Sequence, residues 1–274
     1  MDLQIREYVH CRLIITNFTA VKSYGILPRM VEDDTPRHFR SSGRMRGMEI
    51  TKLFQDISVF GKENLLSPRQ PVVYAASHTS DAEIPALGAV LTPTRNIGIA
   101  YISALMDDPK LKYIFGAEKF LLGNNRWYPI DFDGTEGSYK PKAFNKANYD
   151  PMVDAINHGR SIIFAAHVPT KNLVLPNQPG IGAVWLAQRS NVPVIPVGIA
   201  PLMEKTTTAG DIREMAKHPF RRPRVEVRFG RPMNLPPIST DSFIHSYPAL
   251  LGQSNDVMVE IAKLLPQDRR GKWG

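Results

Sequence analysis

A histidine and a glutamate five residues apart are the residues of this chain best suited to proton transfer. His78 and Glu83 lie in the stretch SHTSDAEIPAL, Ser77–Leu87, which follows a predicted strand and opens a predicted helix. Ligands collect at the carboxyl ends of strands in open α/β sheets. If His78 precedes the helix and Glu83 lies in its first turn, the carboxylate can hold one ring nitrogen while the other removes a proton from a hydroxyl group. A hydroxyl activated in this way can attack a thioester directly.

The same residues also fit a purely structural pattern. Ser80 followed three residues later by Glu83 matches a helix capping box. In this alternative the glutamate reaches back to the start of its own helix, and His78 is an ordinary loop histidine. The spacing alone leaves both hypotheses open.

Alternating apolar runs and helical patterns predict an α/β domain with a mostly parallel central sheet flanked by helices. The predicted strands are Pro71–Ser77, Ile97–Tyr101, Trp127–Asp131, Ser161–Ala166, Val192–Ile199 and Arg224–Phe229. The predicted helices are Glu83–Leu91, Lys110–Leu122, Tyr149–His158, Ile181–Arg189 and Asp256–Leu265. This domain is expected to span residues 71–274.

Residues 1–70 are predicted to form a separate, mainly helical segment. Apolar residues recur there at helical spacing, namely Ile50, Leu53, Phe54, Ile57 and Phe60. The sequence start lacks a basic stretch followed by a long apolar one, so we expect no signal peptide. No apolar run approaches the roughly 20 residues of a spanning helix.

Composition favours a reducing compartment and anionic partners. A single cysteine, Cys11, cannot form an internal disulfide, so we expect a cytoplasmic protein. The formal net charge of +8 favours phospholipid headgroups or phosphate-bearing cosubstrates. A basic stretch between Lys217 and Arg231 could contact such phosphates, or could be a solvated face. Nucleic acid is not expected as a partner, because interleaved aromatic residues are lacking.

The stretch around His78 resembles the first signature block of the PlsC-like glycerolipid acyltransferases, the 1-acylglycerol-3-phosphate acyltransferase family. Five residues match that block in register: Ser77, His78, Ser80, Ile84 and Pro85. Glu83 stands where the family has aspartate, which keeps the carboxylate on an arm one methylene longer. The resemblance implies that His78 is the catalytic base and that Glu83 orients it.

Later segments resemble further parts of the family in the same order. They are Trp127–Asp131, Gly159–Ala166, Gly182–Ala187, Val194–Val197, Val225–Pro232 and Ala262–Gly271. The resemblance covers residues 60–274 approximately. It implies the family's α/β fold, a thioester donor that is either acyl-CoA or an acyl carrier protein, and a mechanism that needs no metal and no bound cofactor.

The resemblance fails in the third block, where the family has Phe-Pro-Glu-Gly-Thr-Arg. Ala166 replaces the glutamate and His167 the glycine, and Phe132 replaces the arginine of the second block. In the family these blocks help hold the acceptor's glycerol phosphate, and an uncharged side chain cannot replace a guanidinium. Either nearby residues substitute, or the acceptor carries no glycerol phosphate. The candidate substrate-binding residues are Ser80, Arg126, Asp131, His167, Thr170 and Lys171.

Together these features predict an O-acyltransferase that acts on a lysophospholipid-like hydroxyl group, in peripheral contact with an anionic membrane surface on its cytoplasmic face. One alternative acceptor is a phosphate-free sugar, aminolipid or secondary-metabolite alcohol. Another alternative is a non-catalytic protein that binds lipid or coenzyme A, which Ala166 and Phe132 motivate. His167 and Lys171 have structural alternatives too, as a hydrogen-bonded histidine and a solvated loop lysine.

Overall fold

The fold alternates short apolar strands with helices. The computed structural model describes residues 55–79, 83–102, 127–130, 148–167, 173–201, 224–239 and 243–274. Its strands are β1 Asp56–Phe60, β2 Val73–Ala76, β3 Ile97–Ile102, β4 Trp127–Ile130, β5 Ser161–Ala165, β6 Val194–Pro201 and β7 Arg224–Phe229. Its helices are α1 Glu83–Leu91, α2 Asp150–Asn157, α3 Gly182–Ser190 and α4 Phe243–Leu264. Short 3-10 turns lie at Lys62–Asn64, Gln267–Arg269 and Gly271–Trp273.

The strands form one seven-stranded sheet in the order β1-β7-β6-β2-β5-β3-β4. Strands β2 to β6 are all parallel to one another, whereas β7 pairs antiparallel with β6 and parallel with β1. β2 lies between β5 and β6, with Val73 opposite both Ile162 and Val194. The carboxyl ends of β2 and β5 therefore lie side by side at one edge of the sheet.

Both faces of the central strands are buried, as a parallel sheet between helices requires. All four residues of β2 are fully buried, and they alternate between two apolar cores. Val73 and Ala75 face the core that contains α2, α3 and α4, and Tyr74 and Ala76 face the core that contains α1. This arrangement confirms the predicted α/β class with a mostly parallel sheet and flanking helices.

Two predicted elements need correction. The helix predicted around Ile50–Phe60 is wrong for its described part, because Asp56–Phe60 is strand β1, paired with β7. Exposed and half-buried residues alternate along it, and its β-branched Ile57 and Val59 suit a strand. The final helix also begins well before Asp256, since α4 runs through Pro248, which costs it one backbone hydrogen bond.

Some predictions concern residues outside the described ranges. These are the helix Lys110–Leu122, the segment before residue 55 and the basic residues before Arg224. The boundary proposed near residue 70 also stays a prediction. Within the described ranges, no helix combines the length and apolar character needed to cross a bilayer.

Candidate active site

The loop that follows β2 is tied to its neighbours residue by residue, beginning with Ser77. Its amide donates to the carbonyl oxygen of Val197 (2.9 Å). Its hydroxyl accepts from the amide of Ile199 (2.8 Å) and lies 3.3 Å from the Ile199 carbonyl oxygen. Ser77 therefore extends the contact of β2 with β6 beyond the last paired residues, Ala76 and Val197. These bonds fix the position of the backbone from which His78 continues.

Glu83 is the first residue of α1, and its side chain is fully buried. Its Oε2 accepts a hydrogen bond from the amide of Thr79 (2.6 Å), and its Oε1 accepts one from the Thr79 hydroxyl (2.7 Å). The positive end of the helix dipole also favours a carboxylate at this position. The glutamate therefore turns back towards the loop before its helix, as in the capping alternative, and it accepts hydrogen bonds from Thr79.

His78 lies beside the same carboxylate. Its Nδ1 is 3.8 Å from Glu83 Oε2, which is within reach of an ion pair but longer than a hydrogen bond. The imidazole is 12% exposed, whereas the carboxylate is fully buried. The structure thus brings together the two residues predicted to form the dyad. The carboxylate accepts hydrogen bonds from Thr79. It acts on the imidazole through its negative charge.

His167 enters the site from the end of β5. Its Nε2 accepts a hydrogen bond from the backbone amide of His78 (3.0 Å), and the residue is 2% exposed. Ala166, which precedes it, is also buried and donates its amide to the Ala76 carbonyl oxygen (2.8 Å). His167 is therefore next to His78 in space, although 89 residues separate them in sequence.

The backbone amides of His78 and Thr79 are already engaged in hydrogen bonds. The amide of His78 donates to His167, and that of Thr79 donates to Glu83. These two amides cannot stabilise a developing oxyanion without breaking those bonds. The amides between Thr79 and Glu83 lie outside the described ranges.

The other predicted substrate-binding residues lie outside the described ranges, namely Ser80, Arg126, Asp131, Thr170 and Lys171. The site residues missed by the sequence argument are Ser77 and Thr79. Thr79 stands four residues before Glu83, and that spacing was an available signal for a contact across a helix start. Among the described residues, no group of three or more His, Cys, Asp or Glu side chains is arranged to hold a metal ion.

Comparison with known proteins gives similarity to solved structures only at low sequence identity. No protein-family model and no curated protein matches this chain. A solved structure similar to it is the crystal structure of PlsC, the 1-acyl-sn-glycerophosphate (LPA) acyltransferase from Thermotoga maritima. The two chains are 14% identical, and the similarity covers 89% of this chain and 88% of that chain with a TM-score of 0.48.

Proposed function

We propose that this chain is an O-acyltransferase in which His78 is the general base. The observation that carries the proposal is the His78 imidazole at the carboxyl end of β2, with its Nδ1 3.8 Å from the buried Glu83 carboxylate. A histidine needs such a neighbour to stabilise the imidazolium that forms when it takes a proton. The resemblance of Ser77–Leu87 to the first acyltransferase block supports the same role.

The proposed reaction passes through one tetrahedral intermediate. His78 takes the proton of the acceptor hydroxyl on Nε2, the ring nitrogen opposite Nδ1. The acceptor oxygen then forms a bond to the thioester carbonyl carbon. When the intermediate collapses, the carbon–sulfur bond breaks and the leaving thiolate takes the proton back from the imidazolium. The products are an ester and a free thiol, from acyl-CoA or an acyl carrier protein.

Glu83 acts on His78 mainly through its charge in this proposal. A negative charge close to the ring attracts the positive charge that forms on it. The attraction favours the imidazolium, and so it favours the proton transfer that creates it. The hydrogen bonds from Thr79 hold the carboxylate in place, so the charge does not move away during the reaction.

We propose a lysophospholipid-like alcohol as the acceptor, presented at an anionic membrane surface on its cytoplasmic side. The formal net charge of +8 supports such a surface. A phosphate-free alcohol is the second candidate. It is favoured by Ala166, which is buried and uncharged at the end of β5, where the resemblance leads one to expect a glutamate.

The test is an acyl-transfer assay with radiolabelled acyl-CoA and acyl carrier protein thioesters. Lysophosphatidate in anionic or neutral vesicles and a phosphate-free long-chain alcohol serve as acceptors. We expect transfer, and we expect His78→Ala to lower kcat by about 10²- to 10⁴-fold, as loss of a general base does. Glu83→Gln keeps the shape and removes the charge, so we expect a smaller loss of about 10- to 100-fold.

The chain offers a matched control for these variants. His158 and Asp154 form a second histidine–carboxylate pair, 3.4 Å apart, but both side chains are at least 75% exposed. His158→Ala should leave kcat unchanged. Transfer only to the phosphate-free alcohol would replace the lysophospholipid assignment. An unmutated protein that binds acyl-CoA but never transfers the chain would be a non-catalytic binding protein, and the proposal would be abandoned.

A further inference from the structure

The contact between His167 and the peptide nitrogen of His78 restricts the protonation of the His167 ring. A backbone N–H is always a donor, so His167 Nε2 must present its lone pair to accept the bond of 3.0 Å. A ring that carries hydrogen on both nitrogens has no such lone pair. His167 is therefore neutral in this arrangement, with its hydrogen on Nδ1.

The backbone of His167 is itself held in place. The amide of Ala166 donates to Ala76 on one side, and the amide of Gly180 donates to the Ala166 carbonyl oxygen (2.7 Å) on the other. A side chain on Gly180 would begin 3.2 Å from that oxygen and 3.5 Å from the Cα of His167. The close approach of Gly180 therefore fixes the end of β5 against the segment that opens α3.

Three consecutive residues after β2 are thus tied to three different elements. Ser77 bonds to Ile199 of β6, His78 bonds to His167 after β5, and Thr79 bonds to Glu83 of α1. The peptide plane of a residue sets the direction in which its side chain leaves the backbone. Of these three hydrogen bonds, the one that the His78 amide donates to His167 acts on the backbone of His78 itself.

We propose that His167 is a positioning residue, which aims the His78 imidazole by holding its peptide nitrogen with a neutral ring protonated on Nδ1. The sequence predicts a substrate-binding role for His167, and the tests below distinguish the two roles. Only the kinetic part of the proposal depends on the proposed acyl transfer. The ring tautomer and the protection of the His78 amide are properties of the folded chain.

The first test uses the unmutated protein and needs no activity. Long-range ¹⁵N–¹H spectra of the histidine rings distinguish the two neutral tautomers and the cation, and His167→Gln identifies the signals of His167. We expect the Nδ1–H tautomer at neutral pH. A ring protonated on Nε2, or on both nitrogens, would overturn the proposal whether or not the chain transfers acyl groups.

The second test compares two variants of the same residue. His167→Gln places an amide oxygen near the original Nε2 and can still accept from His78, whereas His167→Ala cannot accept. We expect His167→Ala to speed hydrogen exchange of the His78 amide by about tenfold or more. In the transfer assay it should lower kcat by about 10- to 100-fold, as a misplaced catalytic group does. His167→Gln should keep most of the hydrogen-exchange protection of the His78 amide and most of the unmutated kcat.

A KM effect separates positioning from substrate binding. If His167 held the acceptor, His167→Ala would raise KM with little change in kcat, and the positioning role would be rejected. Unchanged protection of the His78 amide in His167→Ala would also reject it. His158→Gln is the matched control, because it replaces an exposed histidine and should alter neither readout. If His167→Ala fails to fold, the tautomer and the His167→Gln kinetics still decide the question.

Discussion

At the scale of single residues, Tyr74 in β2 stands out because its polar group is buried without compensation. The side chain is fully buried and packs edge-on against Phe229, with ring centroids 6.1 Å apart. Among the described residues, none forms a hydrogen bond with its hydroxyl group. Burial raises the pKa of Tyr74 to about 12, against a smaller opposing effect of the Arg95 guanidinium. The hydroxyl therefore costs stability without helping to hold β2.

We expect Tyr74→Phe to keep the ring packing and to leave the free energy of unfolding unchanged or raise it by about 1 kcal/mol. The gain should grow with pH. In the unmutated protein the folded pKa lies above the usual value of 10.0, so the folded state holds the phenol proton more tightly. The contribution of this proton to the free energy of unfolding is present below pH 10 and is lost as pH rises towards 12. At pH 11 about 1.4 kcal/mol of it has been lost. Urea titrations at pH 8, 10 and 11 measure the difference.

Tyr128→Phe is the contrasting variant. The Tyr128 hydroxyl accepts a hydrogen bond of 2.6 Å from Arg160 Nη1, so its removal deletes a hydrogen bond to a charged donor. We expect a loss of about 1–2 kcal/mol at pH 8. Two results would contradict the proposed cost of the buried Tyr74 hydroxyl. One is an equal change in the free energy of unfolding for the two variants, and the other is a change for Tyr74→Phe that stays constant from pH 8 to 11.

At the scale of elements, local signals predicted most of the fold. Helix α1 was predicted with its observed bounds, because the apolar residues of 83–91 follow a strong start signal. Strand β1 was missed because its apolar residues also fit a helical spacing, and only pairing with β7 decides between the two. Local patterns thus identify elements that are long or capped, and they fail where a distant strand selects the structure.

The candidate site follows the same rule. The nearness of His78 and Glu83 could be predicted, since both lie within one strand–helix turn. The bond from His78 to His167 could not be predicted, because it joins the ends of two strands that become neighbours only in the folded sheet. The contact of Glu83 with Thr79 lay within local reach, but the capping-box pattern pointed to Ser80 instead.

Helix α3 packs closely on β5 through a glycine, and this contact can be tested. A Cβ on Gly182 would lie 2.5 Å from the Phe164 ring and 2.9 Å from the Tyr149 hydroxyl. Tyr149 stacks on Phe164 with ring centroids 5.9 Å apart, so the Phe164 ring has little room to retreat. We expect Gly182→Ala to lower the free energy of unfolding by about 1–3 kcal/mol through overpacking, measured by urea titration.

Gly252 in α4 provides the control for that substitution. A Cβ there would meet no atom within 4 Å, so Gly252→Ala should raise stability by about 0.5–1 kcal/mol through the better helix propensity of alanine. The double variant Gly182→Ala, Phe164→Leu should lose less than the sum of its single variants, since the smaller side chain makes room. Equal effects at the two glycines would show that α3 is not tightly packed here.

At the scale of the whole molecule, distant parts of the chain complete the structure around β5. The last described segment, after α4, lies against the residues that follow the candidate site. The amide of Leu175 donates to the Arg269 carbonyl oxygen (2.9 Å), and Trp273 Nε1 donates to the Pro176 carbonyl oxygen (2.8 Å). The Trp273 ring also packs against the core between the sheet and helices α2, α3 and α4. The end of the domain thus supports a segment from its middle.

These contacts predict a graded loss when Trp273 is shortened. Trp273→Phe keeps most of the ring but removes the N–H donor to Pro176, so it should cost about 1 kcal/mol. Trp273→Ala also removes the ring from a partly buried position, so we expect a total loss of about 1–3 kcal/mol and faster hydrogen exchange at the Leu175 amide. Lys263→Ala, which breaks only an exposed ion pair with Glu260, should change stability by less than about 0.5 kcal/mol. If Trp273→Ala lowered the free energy of unfolding no more than Lys263→Ala does, the segment after α4 would not stabilise the fold. The residues after His167 would then be held in position by other contacts.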